Sequence, residues 1–187
     1  SDVGIAPGTN PVTRASGATS IAIPSQENPV NRIADMSAED IENIFDVLSV
    51  LEGLAVRSAA ERASEAELAQ IARLHAQMLE NYEKRDIRAY FAASMGTHIA
   101  INRAAHNPSL TQSYDRLNLQ VQALRYKSNF DHDEWTTAVA DHEAFVQALL
   151  ARDGERAEAL IRKHVGGKKA YNQRGRPGVG AKPCTAA

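Results

Sequence analysis

Three histidines of this chain, His98, His142 and His164, fall where a helical reading places apolar core residues. Ser94 and His98 are four apart and share a side with Tyr90, Phe91 and Ile101, so both are predicted to point inward. His142 follows Val139 by three and precedes Phe145, Val146 and Leu149 by three, four and seven. His164 comes four after Leu160 and three after Ile161. Imidazoles gathered in one helical core form a ligand set for a borderline divalent ion such as zinc, nickel, iron or copper. The spacing alone leaves a second reading equally open, three hydrogen-bonded core histidines with no ion. His75, between Leu74 and Met78, reads as structural, as do His106 at a helix end and His132 in a loop.

The elements that must carry these residues can be read from caps and apolar stripes. Ser37 with Asp40 three later opens a first helix, with Ile41, Ile44, Phe45, Leu48, Leu51 and Ala55 at helical spacing to about Ala63. Ser64 with Glu67 opens a second, striped by Leu68, Ile71, Leu74, Met78 and Leu79, and the two are expected to pack as a hairpin. Asp86 caps a third helix. Asn107-Pro108 stops it and starts a fourth that reaches about Ser128. Acids around Asp131 and Asp133 cap a fifth, through about Ala151, and Asp153-Gly154 opens a sixth that is expected to end near Gly166-Gly167. The expectation is an all-α fold, an antiparallel bundle of six to seven helices spanning 36–166.

The flanks read differently. Residues 1–35 carry Pro7, Pro11, Pro24 and Pro29, four of the chain's seven prolines, together with Gly8 and Gly17, with Ile21-Ala22-Ile23 as a possible short strand, and read as a linker or arm. Residues 167–187, with Lys168, Lys169, Arg174, Arg176 and Lys182 among Gly and Pro, read as a flexible basic tail, phosphate contact being the sharper alternative.

Composition narrows the function classes. The 187 residues suit one domain, aromatic content is 5%, and a net charge of −2 gives no global footprint for nucleic acid or acidic lipid. The single cysteine, Cys184, excludes an intrachain disulfide framework. No stretch approaches the roughly 18–20 apolar residues of a membrane helix, and no basic-then-apolar leader opens the sequence, so a soluble, cytoplasmic protein is expected.

Several separated landmarks carry a resemblance. Ser37 through Val47, Leu51-Glu52-Gly53-Leu54-Ala55, Ala59-Ala60-Glu61-Arg62-Ala63, Arg85-Asp86, His98, Ala104 through Pro108, Asp141-His142, Arg152-Asp153, Ala157 and His164 keep one order and spacing. In these, about residues 33 to 166, the chain resembles the FCD effector domain of FadR-type GntR transcriptional regulators. That resemblance implies a dimeric helical bundle whose pocket binds a metal ion and a small organic acid and reports occupancy to an attached DNA reader. It implies His98, His142 and His164 as ligands of a divalent metal, zinc or nickel, in a protein that is not an enzyme.

Two positions depart from the family pattern. Ser94 stands where the family has an Asp or Asn ligand, and a hydroxyl is a poor ligand beside a carboxylate, so water or effector is expected there. Leu48 stands where the family has an arginine, which removes a bidentate carboxylate donor. Arg125 and Arg103 are candidate replacements, and Ser94, Asn102, Gln122 and Arg125 are the candidate effector-pocket residues. A winged-helix reader needs roughly 70 residues against about 35 before the bundle, and Gly8 through Arg14 only faintly suggest a turn before a recognition helix, so DNA is expected to be met only through a reader not evident in this chain.

Two other functions use the same residues. One is a metal-dependent enzyme, since three histidines with an open position can activate water. Against it, no carboxylate shares the inward stripes: Glu143 follows His142 and points about 100° away, and Asp141 diverges on the other side. The other is a metal-free pocket in which protonated histidines hold a carboxylate directly.

Overall fold

The computed structural model describes residues 36–174; the expected arm over 1–35 and the tail beyond 174 lie outside them. The described residues form six helices, α1 (Ala38–Arg62), α2 (Glu65–Glu83), α3 (Ile87–Ala104), α4 (Pro108–Ser128), α5 (His132–Leu150) and α6 (Gly154–Arg174). Each begins on the cap its sequence announces. Ser37 Oγ accepts the Asp40 amide and the Asp40 carboxylate accepts the Ser37 amide, both at 3.0 Å, and Ser64 with Glu67 repeats the box. Asp86, Asn107, Asp131 and Asp153 accept amides of the first turns of α3, α4, α5 and α6. These bonds satisfy amide groups that a helix start leaves orphaned.

Three helices end on a left-handed residue that is not glycine: Arg85, His106 and Arg152, with φ of 58°, 49° and 57°. Arg152 is held there from outside the turn, its guanidinium donating to the Ala60 and Ala63 carbonyls and to Glu65. The α5–α6 corner is thereby latched onto the α1–α2 corner.

The bundle is built on α1, which packs along α6 and also meets α3, α4 and α5; α2 lies against α3 and α5. The expected α1–α2 hairpin is not formed. Ala63 and Ser64 are both extended, so a two-residue link sends α2 away from α1 and onto α3. Close approach of α1 and α6 occurs at Gly53, where an added Cβ would stand 2.9 Å from Arg162 Cγ and Cδ. The principal core joins Val56, Ala59, Ile71, Ile101, Phe145, Leu149 and Ile161.

The sixth helix corrects the sequence reading. It does not stop at Gly166-Gly167 but continues to Arg174, and no glycine among the described residues takes the positive φ that a glycine helix stop uses. Tertiary contacts beyond the glycines carry it on. Lys168 is buried and donates to Ser128 Oγ at 2.8 Å, and Lys169 reaches Asp46 at 2.8 Å. These two lysines, expected in a basic tail, are therefore part of the bundle. Both glycines are interior to a helix, and an added Cβ at either meets nothing within 4 Å. The double variant Gly166→Ala/Gly167→Ala is expected to gain about 1–2 kcal/mol, read as a higher urea midpoint at unchanged slope; a loss would mean that the glycines are needed as such.

Candidate metal and effector site

The three histidines converge. His98 comes from α3, His142 from α5 and His164 from α6, each at most 4% exposed, and one nitrogen from each lies within 4.8 Å of the others. The helical phase that turns them inward is the same that buries Ile101, Phe145 and Ile161 beside them.

What holds each ring determines which nitrogen faces its neighbours. His142 Nδ1 lies 2.7 Å from the Ala138 carbonyl, an acceptor, so Nδ1 carries the proton and Nε2 the lone pair. His98 Nδ1 lies 2.7 Å from Glu52 Oε2 and is likewise the donor, leaving a lone pair on its Nε2. The two Nε2 atoms are 3.1 Å apart, and Ser94 Oγ stands 3.0 Å from the same His142 Nε2. His164 turns Nδ1 toward Asp141 Oδ2 at 3.4 Å. Two imidazole lone pairs facing each other at that distance repel unless a proton or a cation lies between them.

A proton on His142 or on His164 is disfavoured. Burial pushes the pKa of His142 well below the usual imidazole value, and the neighbouring His164 and His98 push it further; His164 is lowered the same way, by burial first and then by His98 and Lys168. Imidazole nitrogens gathered within 4.8 Å of one another are what a divalent ion takes. Tetrahedral zinc with Zn–N bonds of roughly 2.0–2.1 Å sets its nitrogens about 3.3 Å apart. The donor set therefore fits a metal. A carbonyl and two carboxylates behind the rings fix their orientation as outer partners of metal-binding histidines do.

Glu52 is the residue that the sequence reading missed. It stands on the buried stripe of α1, four after Leu48 and seven after Phe45, and is itself 2% exposed. Its other oxygen forms a short ion pair with Arg125, which reaches across from α4 and is 6% exposed. Burial raises the Glu52 pKa, but the Arg125 charge and the hydrogen bonds from Arg125 and His98 outweigh it and hold the group far below the usual carboxylate range. The signal was available: the periodicity that placed His98 inward places Glu52 inward too.

The pocket wall is formed by Phe91, Ser94, Arg125, Asn129 and Lys168 around the histidines. The free space is about 20 Å³, room for one water-sized species. Of the expected effector residues, Ser94 and Arg125 reach this pocket and Asn102 and Gln122 do not line it. Asn102 is one turn further along α3 and 1% exposed, with no hydrogen bond to its side-chain amide; Gln122 lies between the buried Val121 and Arg125 on α4 and is half-buried. Arg125 is present but committed to Glu52. Arg103 is at the surface with Asp115, at 2.8 Å.

The expectation that no carboxylate accompanies the histidines is overturned. Glu52 enters from α1, a helix whose own stripe had no histidine to draw notice, and Asp141 meets His164 because α6 packs alongside α5. Neither is a free base. Glu52 is held ionised by two partners, and Asp141 also faces Lys163 at 3.7 Å. Glu143 turns away, as its phase predicts, and pairs with His75 at 3.0 Å.

The described helices contain no span long and apolar enough to cross a membrane. A family profile for the FCD domain matches residues 43–167. Among curated proteins, the chain is 30% identical over 134 residues to a probable D-xylose utilization operon transcriptional repressor of Paenarthrobacter nicotinovorans, covering 72% of this chain and 58% of that one. It is 29% identical over 123 residues to the galactonate operon transcriptional repressor of Escherichia coli (strain K12), covering 63% and 51%. The chain thus spans just over half the length of these relatives. Solved structures with the same fold include E. coli McbR/YncC, with a TM-score of 0.64 at 19% identity over 73% of this chain and 66% of that one. They also include Lar, which controls the expression of the Listeria monocytogenes agr system, with a TM-score of 0.59 at 15% identity over 75% and 66%.

Proposed function

From the premise that this chain belongs to the FCD domain family, we propose that it is the effector-sensing domain of a GntR-type transcriptional repressor. In this reading His98, His142 and His164 hold a divalent metal, zinc or nickel, and a small organic acid completes its coordination. The observation that carries the metal is the pair of Nε2 lone pairs 3.1 Å apart, each fixed by a hydrogen bond on the far side of its ring. The metal supplies a positive anchor for a carboxylate; the chain supplies orientation and exclusion of water. Ser94 leaves a coordination position to the ligand. The relatives are repressors of sugar and sugar-acid operons, and we take a hydroxylated carboxylic acid as the effector class.

The division into a bundle, a preceding arm and a following tail belongs to the proposal, with DNA met through a separate reader. So does a homodimer. Val47, Val50 and Leu54 form an exposed apolar row on α1, opposite its buried stripe, and a second copy is its proposed occupant. A metal-dependent hydrolase is disfavoured, because the carboxylates at the site are engaged and the relatives regulate transcription.

Metal content of protein purified without tags or chelators, followed by zinc titration of the wild type and of His98→Ala, His142→Ala and His164→Ala, tests the site. The wild type is expected to bind one ion per chain and to gain thermal stability from it, and each variant to lose both. Equal metal binding by wild type and variants would sink the reading.

A further inference from the structure

Most polar side chains in the wall of the histidine pocket already have partners. Arg125 is paired with Glu52, and Ser94 Oγ stands 3.0 Å from His142 Nε2. Lys168 is engaged with Ser128 Oγ and with the acidic charges of Glu134, Asp141 and Asp131. Asn129 differs. It lines the same pocket and is 4% exposed, and its backbone N–H is used on the Tyr126 carbonyl at 3.1 Å. Its side-chain amide has no hydrogen-bond partner among the described residues.

The end of α4 brings the amide there. Ser128 closes the helix, its hydroxyl donating to the Arg125 carbonyl at 2.8 Å, and Asn129 is the C-cap, still right-handed at φ −76° and ψ −10°. Asn129 follows Arg125 by four residues, so helical phase puts it on the side from which Arg125 reaches the pocket. A polar group buried to this degree takes a partner, from water or from a ligand. The amide offers donors and an acceptor without charge. A carboxylate only accepts and uses half of that offer. A hydroxyl both gives and takes a hydrogen bond and uses all of it.

We propose that Asn129 is the specificity residue that reads a hydroxyl of the effector: the carboxylate lies at the histidine end, and a hydroxyl elsewhere on the same molecule donates to Asn129 Oδ1 and accepts from Nδ2. This inference rests on the reading of the pocket as an acid sensor, and it adds what separates a hydroxy acid from a plain carboxylic acid there. The histidines come from α3, α5 and α6, and Arg125 is committed to Glu52, so Asn129 gives the ligand its contact with the end of α4.

The test is calorimetric titration of the full chain with galactonate and with hexanoate, a carboxylate of the same chain length without hydroxyls, each in zinc and in chelator. The wild type is expected to prefer galactonate at least about tenfold, as a site that hydrogen-bonds a hydroxyl rejects the analogue lacking it. Asn129→Leu and Asn129→Ala are expected to lose about that factor on galactonate and to hold hexanoate within about twofold. Asn129→Ser keeps a donor and an acceptor and is expected to retain more of the preference than either. Zinc affinity by chelator competition is expected to stay within about threefold in all three, because the side chain holds nothing in the unliganded bundle. A preference for galactonate that survives Asn129→Leu and Asn129→Ala overturns the proposal and leaves the sensor reading intact. Equal losses on both acids also overturn it, by marking the effect as one of packing, as does a wild type that binds the two acids alike. A wild type that binds neither acid overturns this inference and the sensor reading together. If the wild type selects galactonate through Asn129 but takes up no zinc, the metal reading falls and this one stands.

Discussion

Glutamine at position 52 is expected to cost the domain about 3–5 kcal/mol, read in chelator as a lower urea midpoint. The magnitude follows from what the substitution leaves behind. Arg125 is 6% exposed, and without the Glu52 charge it becomes an uncompensated buried guanidinium. Adding Arg125→Met removes that stranded charge, and the double variant is expected to recover most of the stability. It is not expected to recover the metal. Glu52, 2.7 Å from His98 Nδ1, also makes that nitrogen the donor and Nε2 the proposed ligand atom, and loss of such an outer partner is expected to lower metal affinity about 10–100-fold. Equal stability of Glu52→Gln and wild type would mean that the pair is no more than neutral. Unchanged zinc affinity would separate Glu52 from the metal.

Aspartate at position 94 is expected to act in the opposite direction. Ser94 Oγ is 3.0 Å from His142 Nε2, so a carboxylate on the same Cβ stands among the histidine nitrogens. Zinc retention is expected to tighten about tenfold or more, because an anionic oxygen replaces a weak hydroxyl ligand. Affinity for an external carboxylate is expected to fall by a similar factor, since the ion's charge and open position are then met by the protein. Chelator competition reads the first effect and acid titration the second. If neither moves, the side chain at 94 does not face the ion.

Much of this site could be read without coordinates. Helical phase alone turned His98, His142 and His164 inward, because each sits at three- and four-residue spacings from large apolar side chains, and a lone polar residue in such a stripe has little freedom to point elsewhere. The same reasoning failed at Glu52 for want of a partner in sight. Its partners, His98 and Arg125, lie 46 and 73 positions away, and a glutamate in a helix ordinarily finds solvent. Caps were legible because they are local: Ser37, Ser64, Asp86, Asn107 and Asp131 each bond within three residues. Helix ends and helix neighbours were not. Gly166-Gly167 has the composition of a stop, yet the bonds from Lys168 to Ser128 and from Lys169 to Asp46 carry the helix onward, and α2 leaves α1 because of the extended geometry of Ala63 and Ser64. Asn102 and Gln122 had suitable chemistry but do not line the histidine pocket, which spacing on a single helix does not distinguish.

The small volume behind the histidines bears on how such a sensor would be tuned. A space of about 20 Å³ admits an ion or a water, so in the proposed sensor an organic acid would bind those molecules whose pocket has widened. Apparent affinity is then the intrinsic affinity reduced by the fraction that is open. Every interaction that draws the walls together, Lys168 to Ser128 among them, sets a concentration threshold below which the acid goes unnoticed. Evolution could raise or lower that threshold by changing residues that never touch the ligand.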